Sequence, residues 1–193
     1  IKEGSIIVDL MTGMVECWKF ILKNSGDNSK LIGLDFSTEM INRAELNKLK
    51  FKNSKIEILK ENVFDNSISD ETVDLVISGF GLKTFNNEQL RKLSIEIERI
   101  LKPNGEFSLI DVSVPENKSL RSMYMFYLKN IIPVLGKLFL GNPNTYKMLG
   151  IYTEAYGNSK NVFKIFNERK FQIEYIEYFF GCATGIKGKK LKN

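Results

Sequence analysis

Polar and apolar positions alternate in two rhythms along the first part of the chain. Short apolar runs of strand length occupy Ser5 to Leu10, Lys30 to Asp35, Lys55 to Leu59, Thr72 to Ser78 and Glu106 to Val112. Between them lie segments of helical spacing. Glu16 to Lys23 is the first, stopped by Asn24-Ser25-Gly26-Asp27. Ser37-Thr38-Glu39-Met40 places an N-cap hydroxyl and an early acid where free backbone N–H groups need acceptors, and predicts a helix to about Leu49. Asn87 to Leu101 is amphipathic, with Leu90, Leu93, Ile97, Ile100 and Leu101 on one side. Pro103-Asn104-Gly105 predicts a turn before the fifth strand. The fourth run is nearly all apolar, as in a parallel strand buried on both faces. Strands alternating with helices through right-handed crossovers predict an α/β fold with a doubly wound, mostly parallel sheet.

The rhythm changes after Val114-Pro115. Leu120 to Leu140 is rich in Leu, Ile, Met, Phe and Tyr, but Lys129, Pro133, Gly136 and Lys137 interrupt it. A membrane span needs roughly 20 mostly apolar residues without such breaks, so a transmembrane helix is rejected. Two readings of Met123 to Leu140 stay open. One is core packing for a helix above the sheet; the other is the lining of an irregular apolar ligand site or a contact with a bilayer. Tyr152 to Arg169 predicts one helix, Phe171 to Phe180 a sixth strand, and Cys182 to Lys187 a seventh. Residues 1–193 therefore read as one domain, with 115–169 as a helical insertion and substrate region inside it. The chain opens without Met, almost on the first strand, and reads as a piece whose N-terminal lead-in is missing.

Composition narrows the chemistry. The 193 residues contain no histidine, which removes a Ser-His-Asp triad, a His-ligated zinc site and a His general base. Two cysteines, Cys17 and Cys182, make neither a disulfide scaffold nor a metal cluster, so no metal is expected and a reducing, cytoplasmic setting is the simpler reading. The net charge of +5 is concentrated in Lys187, Lys189, Lys190 and Lys192. That tail reads first as solvated surface; contact with an anionic membrane or nucleic acid is the lesser alternative.

Ligands of an open α/β sheet sit at the carboxyl ends of its strands. The residues there are Asp9 to Glu16, Asp35, Glu61 to Phe64, Ser78 to Lys83 and Asp111. Asp35, at the tip of the second strand, is placed to accept two hydroxyl hydrogen bonds from a ribose. Gly13 lets backbone pass close to a ligand. Asn62 and Val63 are placed to read an adenine edge and pack on its face, and Gly79 and Gly81 to leave room for the reacting part of a cofactor. A dinucleotide requires G-x-G-x-x-G facing a pyrophosphate. Here Met14 and Val15 follow Gly13 and no cradle forms. A phosphate-free nucleoside, S-adenosylmethionine, suits the loop better than NAD.

Asp9-Leu10-Met11-Thr12-Gly13-Met14 and Ile32-Gly33-Leu34-Asp35-Phe36-Ser37-Thr38-Glu39-Met40 resemble the first two motifs of class I S-adenosylmethionine-dependent methyltransferases. Val73 to Leu82, Glu98-Arg99-Ile100-Leu101-Lys102-Pro103-Asn104-Gly105, Ile132-Pro133-Val134-Leu135-Gly136-Lys137 with Tyr146 and Leu149, and Phe180 to Ile186 resemble one branch, the ubiquinone/menaquinone biosynthesis C-methyltransferases. The resemblance covers nearly the whole chain. It implies a seven-stranded Rossmann-like methyltransferase fold, S-adenosylmethionine as cofactor, and Asp9, Gly13, Met14, Asp35, Phe36, Asn62, Val63 and Gly79 around it. It implies methyl transfer to a ring carbon of a prenylated hydroquinone, with Lys83 in place of a family cation near the quinol oxygen. Tyr124, Tyr127 or an acid are the other candidates for handling a phenolic proton. The expected partner is a lipophilic quinol-like small molecule and not nucleic acid, with peripheral contact at the inner membrane face left open.

The chain also departs from that pattern. Val15 stands for a usual glycine, Met14 for a threonine, Gly79 for a small polar residue, and Lys83-Thr84 for Arg-Asn. Each lost hydrogen bond costs about 0.5–1.5 kcal/mol, and two or three weaken cofactor affinity about tenfold to a few hundredfold. The alternatives are a catalytically weakened methyltransferase-like binding or assembly protein, a methyltransferase for another small molecule, or a nicotinamide-dependent reductase.

Overall fold

The computed structural model describes residues 1–26, 28–52, 54–135 and 143–192, with only the backbone for 143–147. Seven strands form one sheet in the order β3-β2-β1-β4-β5-β7-β6. They are β1 (Ile6–Leu10), β2 (Lys30–Asp35), β3 (Lys55–Lys60), β4 (Val73–Gly79), β5 (Leu101–Val112), β6 (Phe171–Tyr178) and β7 (Ala183–Lys190). β1 to β5 pair in parallel, and β7 runs antiparallel to both β5 and β6. The helices are α1 (Trp18–Ser25), α2 (Thr38–Lys48), α3 (Asn87–Ile100), α4 (Lys118–Phe126), α5 (Pro143–Tyr156) and α6 (Lys160–Asn167).

Alternation along the strands builds a core on each face. Ile7 and Leu31 point one way, into Trp18, Ile21 and Ala44 from α1 and α2. Val8, Leu10, Ile32 and Leu34 point the other way, into Leu90, Leu93 and Ile97 of α3 and Val162, Ile165 and Phe166 of α6. The sheet is therefore wound on both faces, as the sequence predicts, and its carboxyl ends converge on one edge.

The structure corrects several boundaries. α1 begins at Trp18 rather than Glu16, because Val15 has a left-handed φ of 68° that no helix accepts. The predicted Pro103-Asn104-Gly105 turn is absorbed into β5; Asn104 takes the positive φ of 64°, and the pairing with β4 shifts register between Val73 and Leu75. The single helix expected over Tyr152 to Arg169 is two, broken at Gly157 with φ 68°. The Gly157 carbonyl accepts Val114 N–H at 2.6 Å, and Ser159 N–H donates to Thr184 Oγ1 at 2.9 Å, so the break is tied to the sheet edge. β7 continues to Lys190, so the basic tail is largely strand. Lys187 pairs with Glu174 at 3.1 Å, and the nearly buried Lys190 pairs with Glu71 at 2.8 Å and donates to the Leu101 carbonyl at 2.9 Å. Lys190 is thus used inside the fold, whereas Lys187 sits in an exposed ion pair on the strand surface.

Among the described residues of Met123 to Leu140, only Met125 and Leu128 are buried; Met123, Phe126, Tyr127, Ile131, Val134 and Leu135 are exposed. The core-packing reading thus holds for two of these side chains. α4 runs into a π-helical turn, Tyr127–Ile131, in which the N–H of Ile132 reaches the Tyr127 carbonyl. Gly136 to Leu140 lie outside the described residues, as does the side chain of Tyr146. Among the described residues, no helix is long and apolar enough to cross a membrane.

Candidate functional site

The loop after β1 is held by a buried polar triangle. Asp9 Oδ2 accepts Thr12 Oγ1–H at 2.5 Å and the Trp18 indole N–H at 3.0 Å, while Trp18 also reaches Thr12 Oγ1 at 2.8 Å. Trp18 is fully buried and lies over Gly33, where an added Cβ would stand 2.5 Å from Cζ2. Asp9 is buried as well, and its Oδ1 has no hydrogen-bond partner among the described residues. Burial pushes its carboxyl up to about 7. The Thr12 and Trp18 hydrogen bonds oppose this, and the nearby Glu16 and Asp35 charges reinforce it. Asp9 thus fixes the loop through Oδ2.

From this anchor the loop turns through alternate left-handed residues: Met11 at φ 56°, Gly13 at 53° and Val15 at 68°. Only Gly13 takes that conformation without steric cost, and a β-branched residue there is an outlier. Gly13 N–H donates to Asp35 Oδ2 at 3.0 Å, and Ser37 N–H donates to Asp35 Oδ1 at 2.9 Å. Asp35 therefore couples the β1 and β2 loops. A carboxylate offers about four acceptor positions, so each oxygen keeps one for a further donor such as a sugar hydroxyl.

Beside Asp35 opens a hollow of about 440 Å³. Its walls bring together Asp35 and Phe36 from the end of β2, Asn62, Val63 and Phe64 after β3, Gly81, Thr84 and Phe85 after β4, and Met11. Phe64 and Phe85 meet as a tilted aromatic pair, centroids 5.0 Å apart, and make the apolar side. Asn62 Oδ1 already accepts Phe64 N–H at 3.0 Å, which leaves its amide N–H groups to read a base edge. A second trough of about 440 Å³ lies along β5, β6 and β7 around Glu106, Ser108, Glu174 and Lys187. It is more open and away from the strands' carboxyl ends, so the first hollow is the candidate site.

Of the residues the sequence singles out, Asp35, Phe36, Asn62, Val63 and Gly81 stand on the hollow's wall. Asp9, Gly13, Met14, Gly79 and Lys83 do not. Met14 is partly exposed, and its Sδ accepts from Arg43 Nη1 at 3.0 Å. Room expected over two glycines is taken. A Cβ at Gly79 would meet Cys17 Sγ at 3.0 Å, and one at Gly81 would meet Met11 Sδ at 2.5 Å. The Cys17 thiol is pushed up to about 11, chiefly by burial, and stays protonated. Lys83, expected as a loop cation, has a nearly buried side chain. Its ammonium donates to Asp111 Oδ1 at 3.0 Å and to the Phe80 carbonyl, and its backbone N–H donates to Asp111 Oδ2 at 2.8 Å. Burial raises the Asp111 carboxyl and the Lys83 ammonium pulls it back. Sequence reasoning missed Thr84, Phe85 and Gln89 as wall residues. The capping box in which Asn86 Oδ1 accepts Gln89 N–H, both at the start of α3, was the available signal for the last.

This donor set fits the adenosyl half of S-adenosylmethionine: an acid for ribose hydroxyls, an aromatic slot and a free amide. Met11 narrows the path beyond it, toward Gly81.

Over residues 1–190 the chain matches the ubiE/COQ5 methyltransferase family. A protein named demethylmenaquinone methyltransferase from Bacillus pumilus (strain SAFR-032) is 30% identical over 193 residues, covering 99% of this chain and 81% of that protein. Its namesake from Bacillus subtilis (strain 168) is 29% identical over 191 residues, with 98% and 81% covered. A SAM dependent methyltransferase from Aquifex aeolicus shares the fold with a TM-score of 0.63 at 20% identity, over 98% of this chain and 84% of that one. So does geranyl diphosphate C-methyltransferase from Streptomyces coelicolor A3(2), in complex with S-adenosyl-L-homocysteine, with a TM-score of 0.65 at 9% identity over 97% and 74%. With its seven-stranded sheet, its acid at the tip of β2 and a family match that runs almost end to end, the chain belongs to the ubiE/COQ5 methyltransferase family and is an S-adenosylmethionine-dependent methyltransferase.

Proposed function

We propose that this chain methylates a ring carbon of a lipophilic hydroquinone of the demethylmenaquinol kind. The observation that carries this reading is the likeness, over nearly all its length, to proteins named demethylmenaquinone methyltransferase. Bound S-adenosylmethionine supplies an electrophilic methyl group. Asp35 holds the ribose hydroxyls, Asn62 the base edge, and Val63, Phe64 and Phe85 the base face. Met14, Gly13 and Gly79 shape the loops around the cofactor without lining the hollow.

Lys83 is the residue proposed to act on the acceptor. Among the described residues, two of its three ammonium N–H donors have acceptors, Asp111 and the Phe80 carbonyl. The third is offered to the phenolic oxygen, where a fixed cation stabilises the negative charge that builds as the ring carbon attacks. Tyr124 is a poor base by comparison. Its hydroxyl donates to the Cys182 carbonyl at 3.3 Å, and burial pushes it up to about 12. Residues 115–169 are proposed as the acceptor's roof. Phe126 and Met123 after β5, and Phe179 and Phe180 after β6, are exposed apolar side chains, suited to a prenyl tail and to peripheral contact with a membrane.

The test is incubation with labelled S-adenosylmethionine and a short-chain demethylmenaquinol. The expected result is a ring-methylated product, with kcat lost in Lys83→Met and cofactor affinity retained. Binding of S-adenosylhomocysteine with no product from any demethylquinol would overturn the assignment of the acceptor.

A further inference from the structure

We infer that Met11 is a stopper in the cofactor site, one that must swing aside before the reactive arm of the cofactor can enter. The inference rests on the cofactor reading given above. The sheet order puts β1 between β2 and β4. A nucleoside anchored by Asp35 at the tip of β2 must extend its sulfur and amino-acid arm across the end of β1 toward β4, where the methyl is passed on. That path runs between Met11 and Gly81. The Met11 side chain occupies it: a Cβ at Gly81 would lie 2.5 Å from Sδ, 2.8 Å from Cε and 3.1 Å from Met11 Cβ. The same side chain forms part of the hollow's wall.

Backbone geometry aims it there. Met11 holds a left-handed φ of 56°, fixed because Thr12 N–H donates to the Leu34 carbonyl at 3.0 Å and Thr12 Oγ1 is tied to Asp9. A glycine at this position would leave the path clear. Methionine has three flexible torsions and adapts to irregular space, so the path can open without refolding the loop. Opening removes apolar contacts, which makes the open arrangement the minor one. The apparent affinity for any ligand that needs the path falls by the open fraction. A ligand that ends at the ribose pays no such penalty. Met11 thus sets the affinity for the arm separately from that for the nucleoside.

Calorimetry with two probes, S-adenosylhomocysteine and adenosine, tests this on the unmodified protein and on Met11→Gly, Met11→Ala and Met11→Leu. Met11→Ala keeps a Cβ at the left-handed position, so it separates removal of the thioether from relief of backbone strain. Folding of each variant is verified by Trp18 fluorescence. S-adenosylhomocysteine is expected to gain about tenfold or more in affinity relative to adenosine in the Gly and Ala variants, with Met11→Leu like the parent. Equal affinities of S-adenosylhomocysteine for parent, Gly and Ala variants would overturn the stopper, and so would parallel changes for both probes. Failure of every folded variant to bind either probe would instead refute the cofactor site itself.

Discussion

Asp9 gives the chain a built-in pH dependence that its single tryptophan can report. The carboxyl is held near 7 instead of its usual 3.8, mainly because it is buried. The folded state therefore keeps a proton between about pH 4 and 7 that the unfolded chain releases. Below pH 4 both states are protonated and nothing is lost. As the pH rises through the window, stability falls, and above about 7 it levels off. Each pH unit carries about 1.4 kcal/mol, so the total is on the order of 4 kcal/mol. The Trp18 indole N–H lies 3.0 Å from Asp9 Oδ2, so ionisation changes the charge beside the fluorophore. Urea unfolding followed by fluorescence from pH 4.5 to 8 should show a midpoint that falls steeply to neutrality. The native emission should titrate with an apparent pKa near 7. Asp9→Asn removes the titrating group and should flatten both curves. A native emission that is flat over this range, or a transition that survives in Asp9→Asn, would refute the reasoning.

Three further substitutions probe other joints of the site. Gly33→Ala places a Cβ 2.5 Å from Trp18 Cζ2; overpacking of this kind costs about 1–3 kcal/mol and should shift Trp18 emission, as thermal unfolding with a fluorescence readout will register. Lys83→Met leaves the fully buried Asp111 carboxylate without its cation, which costs about 3–5 kcal/mol. The loss should be smaller at pH 5 than at pH 8, because an unpaired Asp111 can take up a proton; denaturant midpoints at the two pH values decide. Asp35→Asn keeps the size of the side chain but removes the charge that accepts Gly13 N–H and Ser37 N–H. Hydrogen bonds to a charged group contribute about 1.5–3 kcal/mol, so equilibrium dialysis should show adenosine binding at least tenfold weaker, and equal affinity in the folded variant would contradict the role given to Asp35.

The five parallel strands are legible in the sequence as short apolar or alternating runs bounded by turns, and Val73 to Ser78 is the clearest. Asp35 is legible for the same reason: it ends such a run, and the end of a parallel strand is where a ligand meets the sheet. What stays hidden depends on long-range geometry. The break at Gly157 lies between apolar helical stretches that read as one, and the hydrogen bonds from Val114 N–H to the Gly157 carbonyl and from Ser159 N–H to Thr184 show why the chain turns there. β7 is legible over Cys182 to Lys187, but its extension to Lys190 hides behind lysines and glycines; Gly185 and Gly188 lie so close to Leu109 and Phe107 that no side chain fits. The spaces over Gly79 and Gly81 read as vacant in the sequence. Left-handed turns at positions 11, 13 and 15 bring Cys17 and Met11 into them, and neither spacing nor composition foretells that.

The account turns on a nucleoside gripped by Asp35 in the hollow between the β2, β3 and β4 loops. Electron density from a crystal soaked with S-adenosylhomocysteine tests this most directly. The prediction is an adenine packed against Phe64, Phe85 and Val63, ribose hydroxyls within hydrogen-bonding distance of both Asp35 oxygens, and Met11 displaced from Gly81. Density for the ligand elsewhere on the molecule, or ribose hydroxyls turned away from Asp35, would contradict it.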